Sequence, residues 1–236
     1  MKPPFALSLS FDGIRLLHRA AGGWRIVGEV ALDASDLAGA LESLRVKAAG
    51  LEPDNMLAKL LLPNEQIKYL TIETRGMDEA ARRAAAADAL DGATPYAVND
   101  LAFDISVEGD KTHIAAVARE TLSEAEAFAV DHNFHPVSFA SIPGDHNYLG
   151  EPHFGLTAAA PDLLKKGEEL SPDGIAVVVI GQVEAADRPA EDAVEAQADD
   201  ENEDEAVTDA AKKTVALAPA PPHAAPELST DPSAKD

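Results

Sequence analysis

Four histidines fall close together in the sequence: His132, His135, His146 and His153, with Asp131, Asp145 and Glu151 among them. Imidazole and carboxylate are the ligand types that zinc and related transition metals take. The spacing argues against a metal centre. No two of these histidines stand one helical turn apart on a common face, and the local sequence places them at a helix end, before a proline and in turn-rich stretches. They are weak metal candidates, and the expectation is that no metal is held. Nucleophilic chemistry has less to offer, since no Gly-x-Ser-x-Gly frames any serine and the chain has no cysteine. Asp104 and Asp110 are the carboxylates open to an acid–base reading. Two-metal hydrolases, however, need several carboxylates converging from central strands, and the first predicted strand offers Ser8 and Ser10 instead.

These residues must be positioned by a domain that ends well before the chain does. Every Trp, Tyr and Phe lies at or before Phe154. From Glu184 onward there are 15 Asp and Glu against 4 Lys and Arg, within a net charge of −23 for all 236 residues. Such a stretch buries too little apolar surface to offset chain entropy. The expected organisation is an α/β domain over 1–157, a linker over 158–183 with a short strand at 175–180, and a disordered acidic Ala/Pro-rich tail over 184–236. The charge excludes nucleic acid as a direct partner, because phosphate binding needs clustered Lys and Arg. The opening Met-Lys-Pro-Pro-Phe lacks a signal-peptide pattern and no apolar run is long enough to span a bilayer. A cytoplasmic location is expected, with membrane association only indirect, through an assembly complex.

Within the domain, Phe5–Phe11 alternates, then Asp12-Gly13 signals a two-residue hairpin. Gly22-Gly23 turns the chain into Trp24–Leu32. Ser35 is the predicted N-cap of a helix running to Gly50. Leu57–Leu62 reads as a buried strand, Ile67–Thr74 as an alternating one and Asp78–Leu90 as an alanine-rich helix. Leu101–Val107 and Thr112–Arg119 make a second hairpin. A helix over Ser123–His132 is predicted from a capping box of Ser123 and Glu126, with Asn133 in the left-handed C-cap. Val137–Ile142 is the last strand of the core. The order is βββαβ-βαββ-αβ, with an inserted subdomain over about 66–119.

That order, and several stretches within it, resemble the first half of the actin-like proteins of type IV pilus and type II secretion assembly platforms, the PilM and GspL families. The stretches are Leu7-Ser-Leu-Ser-Phe-Asp-Gly-Ile-Arg-Leu-Leu, Ile67-Lys-Tyr-Leu-Thr-Ile, Ala93-Thr-Pro-Tyr-Ala-Val-Asn-Asp-Leu-Ala-Phe-Asp, His113-Ile-Ala-Ala-Val-Ala-Arg-Glu-Thr-Leu and Phe134-His-Pro-Val-Ser-Phe. The resemblance implies a ribonuclease-H-like, actin-like partial domain and a docking role. It also implies where a phosphate loop would lie. Actin-like ATPases carry Asp-x-Gly on the first hairpin, and the matching positions here are Ser8 and Ser10, followed by Asp12 and Gly13. The loop is degenerate, so no cofactor is expected. The functional expectation is a non-catalytic adaptor that binds a protein partner through a sheet edge or in a groove between the opening strands and the insert, with Ile67, Tyr69 and Phe103 lining the groove. The alternative is a degenerate nucleotide- or metal-dependent hydrolase.

Overall fold

The computed structural model describes residues 1–184. The expected tail lies outside them, apart from Glu184. Ten strands and four helices follow in order: β1 (Phe5–Ser10), β2 (Gly13–Ala20), β3 (Gly23–Val30), α1 (Leu37–Leu51), β4 (Leu57–Leu62), β5 (Ile67–Glu73), α2 (Glu79–Leu90), β6 (Leu101–Glu108), β7 (Lys111–Ala118), α3 (Arg119–Asp131), β8 (His135–Ser141), β9 (His153–Leu156), α4 (Ala160–Leu163) and β10 (Val179–Gln182). The main sheet has the order β10-β3-β2-β1-β4-β8-β9, and the insert forms a separate sheet, β5-β7-β6.

The first three strands are antiparallel, whereas β4 runs parallel to β1 and β8 parallel to β4. A meander followed by two parallel strands, each reached through a helix, is the ribonuclease-H-like arrangement on which actin-like domains are built. One face of the sheet presents Phe5, Leu7, Leu16 and Leu60, and α1 and α3 cover it with Leu41, Leu44, Leu122 and Ala129. The other face presents Ala6, Leu17 and Leu61, covered by Trp24 and Val177. Because β4 is covered on both sides, it reads as a continuous apolar run rather than an alternating one.

Several element ends differ from expectation for local reasons. The first hairpin turns on Phe11-Asp12, since Ser10 already pairs with Gly13. Glycine is needed at 13 because a Cβ there would sit 2.7 Å from the Val30 carbonyl oxygen. Asp36, not Ser35, caps α1, accepting from the Gly39 amide, and the helix continues through Gly50 to Leu51. The predicted capping box does not form. Helix α3 begins four residues earlier, at Arg119, and Ser123 Oγ donates back to the Arg119 carbonyl inside the helix. Glu126 instead accepts from the Ala158 and Ala159 amides and so holds the start of α4. Asn133 does adopt the left-handed conformation after α3, at φ 56°.

The segment expected as linker is part of the packed structure. The Met1 ammonium donates to the Glu169 carbonyl, and the Ser171 amide to the Met1 carbonyl. Val177 is buried. Strand β10, at Val179–Gln182 rather than 175–180, pairs parallel to β3 as the outermost strand. Strand β9 adds a further edge, antiparallel to β8, that the sequence pattern did not indicate.

Candidate functional site

The first hairpin is where an actin-like fold would hold phosphate. Ser8 and Ser10 are half-buried, and Ser10 Oγ donates to the Gly13 carbonyl at 2.9 Å, committing the hydroxyl to the turn. Opposite Ser8 across the ladder is Arg15, whose Nε donates to Glu29 at 2.8 Å. Asp12 is exposed at the tip. Strand β1 therefore brings neither a carboxylate for a metal ion nor a glycine that lets backbone amides approach an anion. The hairpin does present Phe11, which is 64% exposed.

Phe11 stands at the end of a groove between the meander and the insert. Leu9, Phe11, Leu32 and Leu62 line a hollow of about 250 Å³ with Gln66 and Thr121. Those last two residues also border a second hollow of about 240 Å³ that includes Ile67, Pro95 and Tyr96. The floor is apolar because β1 and β4 end there, and Glu65, Lys68 and Glu124 put charges of both signs on its rim.

Of the three residues expected to line a partner groove, Ile67 lies in this one. The other two do not join it. In antiparallel pairs, residues directly opposite share a face. Ile67 and Tyr69 oppose Val117 and Ala115, which pack into the main core. Phe103 opposes Ala116, whose face is covered by Ala86 and Leu90 of α2. Tyr69 and Phe103 are therefore on opposite sides of the three-stranded sheet. The Tyr69 hydroxyl donates to Asn64 Oδ1 at 2.8 Å and lies 3.2 Å from Ser141 Oγ; burial raises its pKa, only partly countered by Ser141. Phe103 lies under the Arg83 guanidinium, 5.1 Å from ring centre to charge.

The histidines do not converge. His132 packs against Phe128, His146 stacks on Tyr69 at 4.2 Å, and His135 is exposed at the start of β8. His153 is half-buried on β9, and burial lowers its pKa despite the nearby Asp104 charge. Among the described residues, no group of three or more His, Asp or Glu is placed to hold a metal ion. Asp104 has a structural occupation: its Oδ2 accepts from the Tyr148 hydroxyl at 2.8 Å and the His153 amide at 2.9 Å, tying insert to core. Asp110 pairs with Arg75 at the surface.

The densest polar constellation went unread in the sequence. Lys59, in the centre of β4 and only 3% exposed, donates to Glu151 and, at 2.7 Å, to Asp173. Arg19 reaches Asp173 at 2.8 Å, Lys2 lies 3.2 Å from its other oxygen, and both Lys59 and Arg19 face the Trp24 ring. Burial raises the Glu151 pKa, with Lys59 opposing the shift. Burial pushes Asp173 upward too, but hydrogen bonds and charge from Arg19 and Lys59 overcome this and hold it well below the usual carboxylate range. A lysine inside Leu57-Ala-Lys-Leu-Leu-Leu62 was the available signal. A charge in a strand buried on both faces must have a partner.

No family model matches the chain, and no curated protein matches it. Several solved structures do resemble it. The cytoplasmic domain of EpsL, an inner-membrane component of the type II secretion system of Vibrio cholerae, is 16% identical over 57% of this chain and 55% of its own, with a TM-score of 0.42. A PilM–PilN type IV pilus biogenesis complex gives 12% identity over 61% and 48%, with a TM-score of 0.46. A protein of actin-like ATPase fold from Bacteroides thetaiotaomicron gives 14% over 56% and 50%, with a TM-score of 0.31. The first two are of the kinds the sequence resemblance pointed to. The chain spans about half the length of the solved structures it matches.

Proposed function

We propose that this chain is a non-catalytic adaptor, acting on the cytoplasmic side, that holds an extended segment of a partner protein in the groove between the meander and the insert. The observation that carries this reading is the exchange of chemistry at the first hairpin. A phosphate-holding site would need its acid and its glycine on β1. Here the hydroxyl of Ser10 is internally bonded and an exposed phenylalanine projects instead. Exposed aromatics beside an apolar cleft favour binding of a side chain over turnover of an ion. The rim supports a peptide ligand, since Tyr96 is 42% exposed at the far end and the floor between is apolar. Among the described residues no helix is long and apolar enough to cross a membrane.

The test places a photo-crosslinking side chain at Phe11 in cells and, as a control, at Val46, an equally exposed apolar residue on α1. A discrete crosslinked protein at position 11 and none at 46 is the expected result. A raised melting temperature with ATP–Mg²⁺, together with equal crosslinking at both positions, would replace the adaptor with a nucleotide-dependent enzyme.

A further inference from the structure

The ion cluster around Lys59 opens into a hollow of about 330 Å³ between the β2–β3 turn and the segment that precedes β10. Lys2, Arg19, Trp24, Asp173, Ile175 and Val178 line it, and its volume is at the low end for a small-molecule site. Three cations, Lys2, Arg19 and Lys59, meet two carboxylates, Glu151 and Asp173. The balance is one positive charge, in a chain whose net charge is −23.

That excess faces the hollow. Lys59 is buried and spends its ammonium on Glu151 and Asp173. Arg19 commits Nε to the Pro3 carbonyl at 3.1 Å and Nη2 to Asp173 at 2.8 Å. Lys2 is different, with a side chain 47% exposed. Its ammonium lies 3.2 Å from Asp173 Oδ1 without hydrogen bonding to it, and that buried oxygen accepts from no group among the described residues. The Lys2 donors are therefore unspent among the described residues. The wall of the hollow away from the ions is apolar, with Ile175 73% exposed and Val178 exposed beside it.

We propose that this hollow binds a small carboxylate with a branched apolar body. The carboxylate lies between Lys2 and Arg19, and the body lies against Ile175 and Val178. Lysine and arginine bond a carboxylate through charge-assisted hydrogen bonds. One negative charge closes the balance of the cluster, whereas a phosphate group, which carries close to two at neutral pH, leaves a surplus beside Asp173. The apolar wall sets the rest of the ligand, because it gains from burial only against hydrocarbon. The hollow shares no residue with the Phe11 groove, so failure of either reading leaves the other standing.

Trp24 is the only tryptophan in the chain and lines the hollow, so its emission reports occupancy directly. The probes are 4-methylpentanoate and its neutral amide, titrated into the full chain. At low salt the acid should bind at least about tenfold more tightly than the amide, and the gap should narrow as salt is added. Lys2→Gln should keep the melting temperature, since a half-exposed ion pair contributes little, and should lose about tenfold in affinity for the acid. Lys2→Arg should retain that affinity. Ile175→Asp should weaken binding through the apolar wall. A free acid and the C-terminal residue of a peptide offer the same chemistry, and N-acetyl-leucine separates them. Tighter binding than 4-methylpentanoate assigns the hollow to a peptide terminus, and weaker binding assigns it to a free acid. Equal binding of acid and amide, no saturable change in Trp24 emission with either, or undiminished affinity in Lys2→Gln or Ile175→Asp would each overturn the proposal.

Discussion

The two faces of the main sheet are covered in different ways. Helices α1 and α3 lay Leu41, Leu44, Leu122 and Ala129 across Phe5, Leu7 and Leu60 in ordinary apolar packing. The opposite face is covered by Trp24 and an irregular strap around residues 173–178, with Glu151 brought against Lys59. A buried lysine, two carboxylates and an arginine around Trp24 hold that strap in place. The cost of trimming apolar packing scales with the burial lost and the cavity left. Buried ions behave differently, because each depends on the other for its solvation. One face therefore resists single changes by degrees, while the other fails at one residue.

Lys59→Met should show this most strongly. It leaves Glu151 and Asp173 facing each other with one fewer cation, and removing one member of a buried ion pair costs about 3–5 kcal/mol. The double variant Lys59→Met, Glu151→Leu should recover most of that loss in urea denaturation, since Asp173 keeps Arg19 and Lys2. If the double variant is no better than the single one, the cluster is not the dominant restraint on the strap. On the helical face, Leu60→Ala should cost about 3 kcal/mol through lost burial and a residual cavity. That loss should be the same in low and high salt. A marked salt dependence for Leu60→Ala would erase the distinction between the faces.

The same distinction explains what could be read from the sequence. The helical face was legible because its residues recur with local periods. Leu57–Leu62 was placed to the residue, and Asp78, Gly92 and Asn133 mark helix ends by side-chain and backbone chemistry that acts within a few positions. Where two local explanations competed, the wrong one could be preferred. Ser123 and Glu126 have capping-box spacing, yet buried Leu122 and Ala125 draw the helix start back to Arg119. The strap face was not legible, because its contacts join Lys59 to residues 92 and 114 positions away. Nothing local about Asp173, in a Ser-Pro-Asp-Gly turn sequence, announces a partner in β4. The expectation that Tyr69 and Phe103 line one groove failed for a related reason. Each alternates correctly within its own strand, but the register across β7 decides which side each one shares.

Acid should act on the strap face and leave the helical face alone, and this is the smallest of the three effects. The His153 pKa is lowered by burial from its ordinary value of 6.5. As the pH falls below that value, the unfolded chain takes up a proton that the folded chain does not, so stability declines through this window. Glu151 works in the opposite sense. Its raised pKa lets the folded chain accept a proton first, returning some stability as the pH falls through its folded value. Asp173 enters last. Its carboxyl is held below the ordinary 3.8, so the stability it contributes is present above that range and is lost as the pH falls beneath it. His153→Gln isolates the first step, because glutamine does not titrate. Denaturation midpoints at pH 7, 6 and 5 should decline less steeply in the variant than in the native chain. Parallel slopes would mean that His153 is free to protonate in place, and that this part of the strap face is wetter than its packing implies.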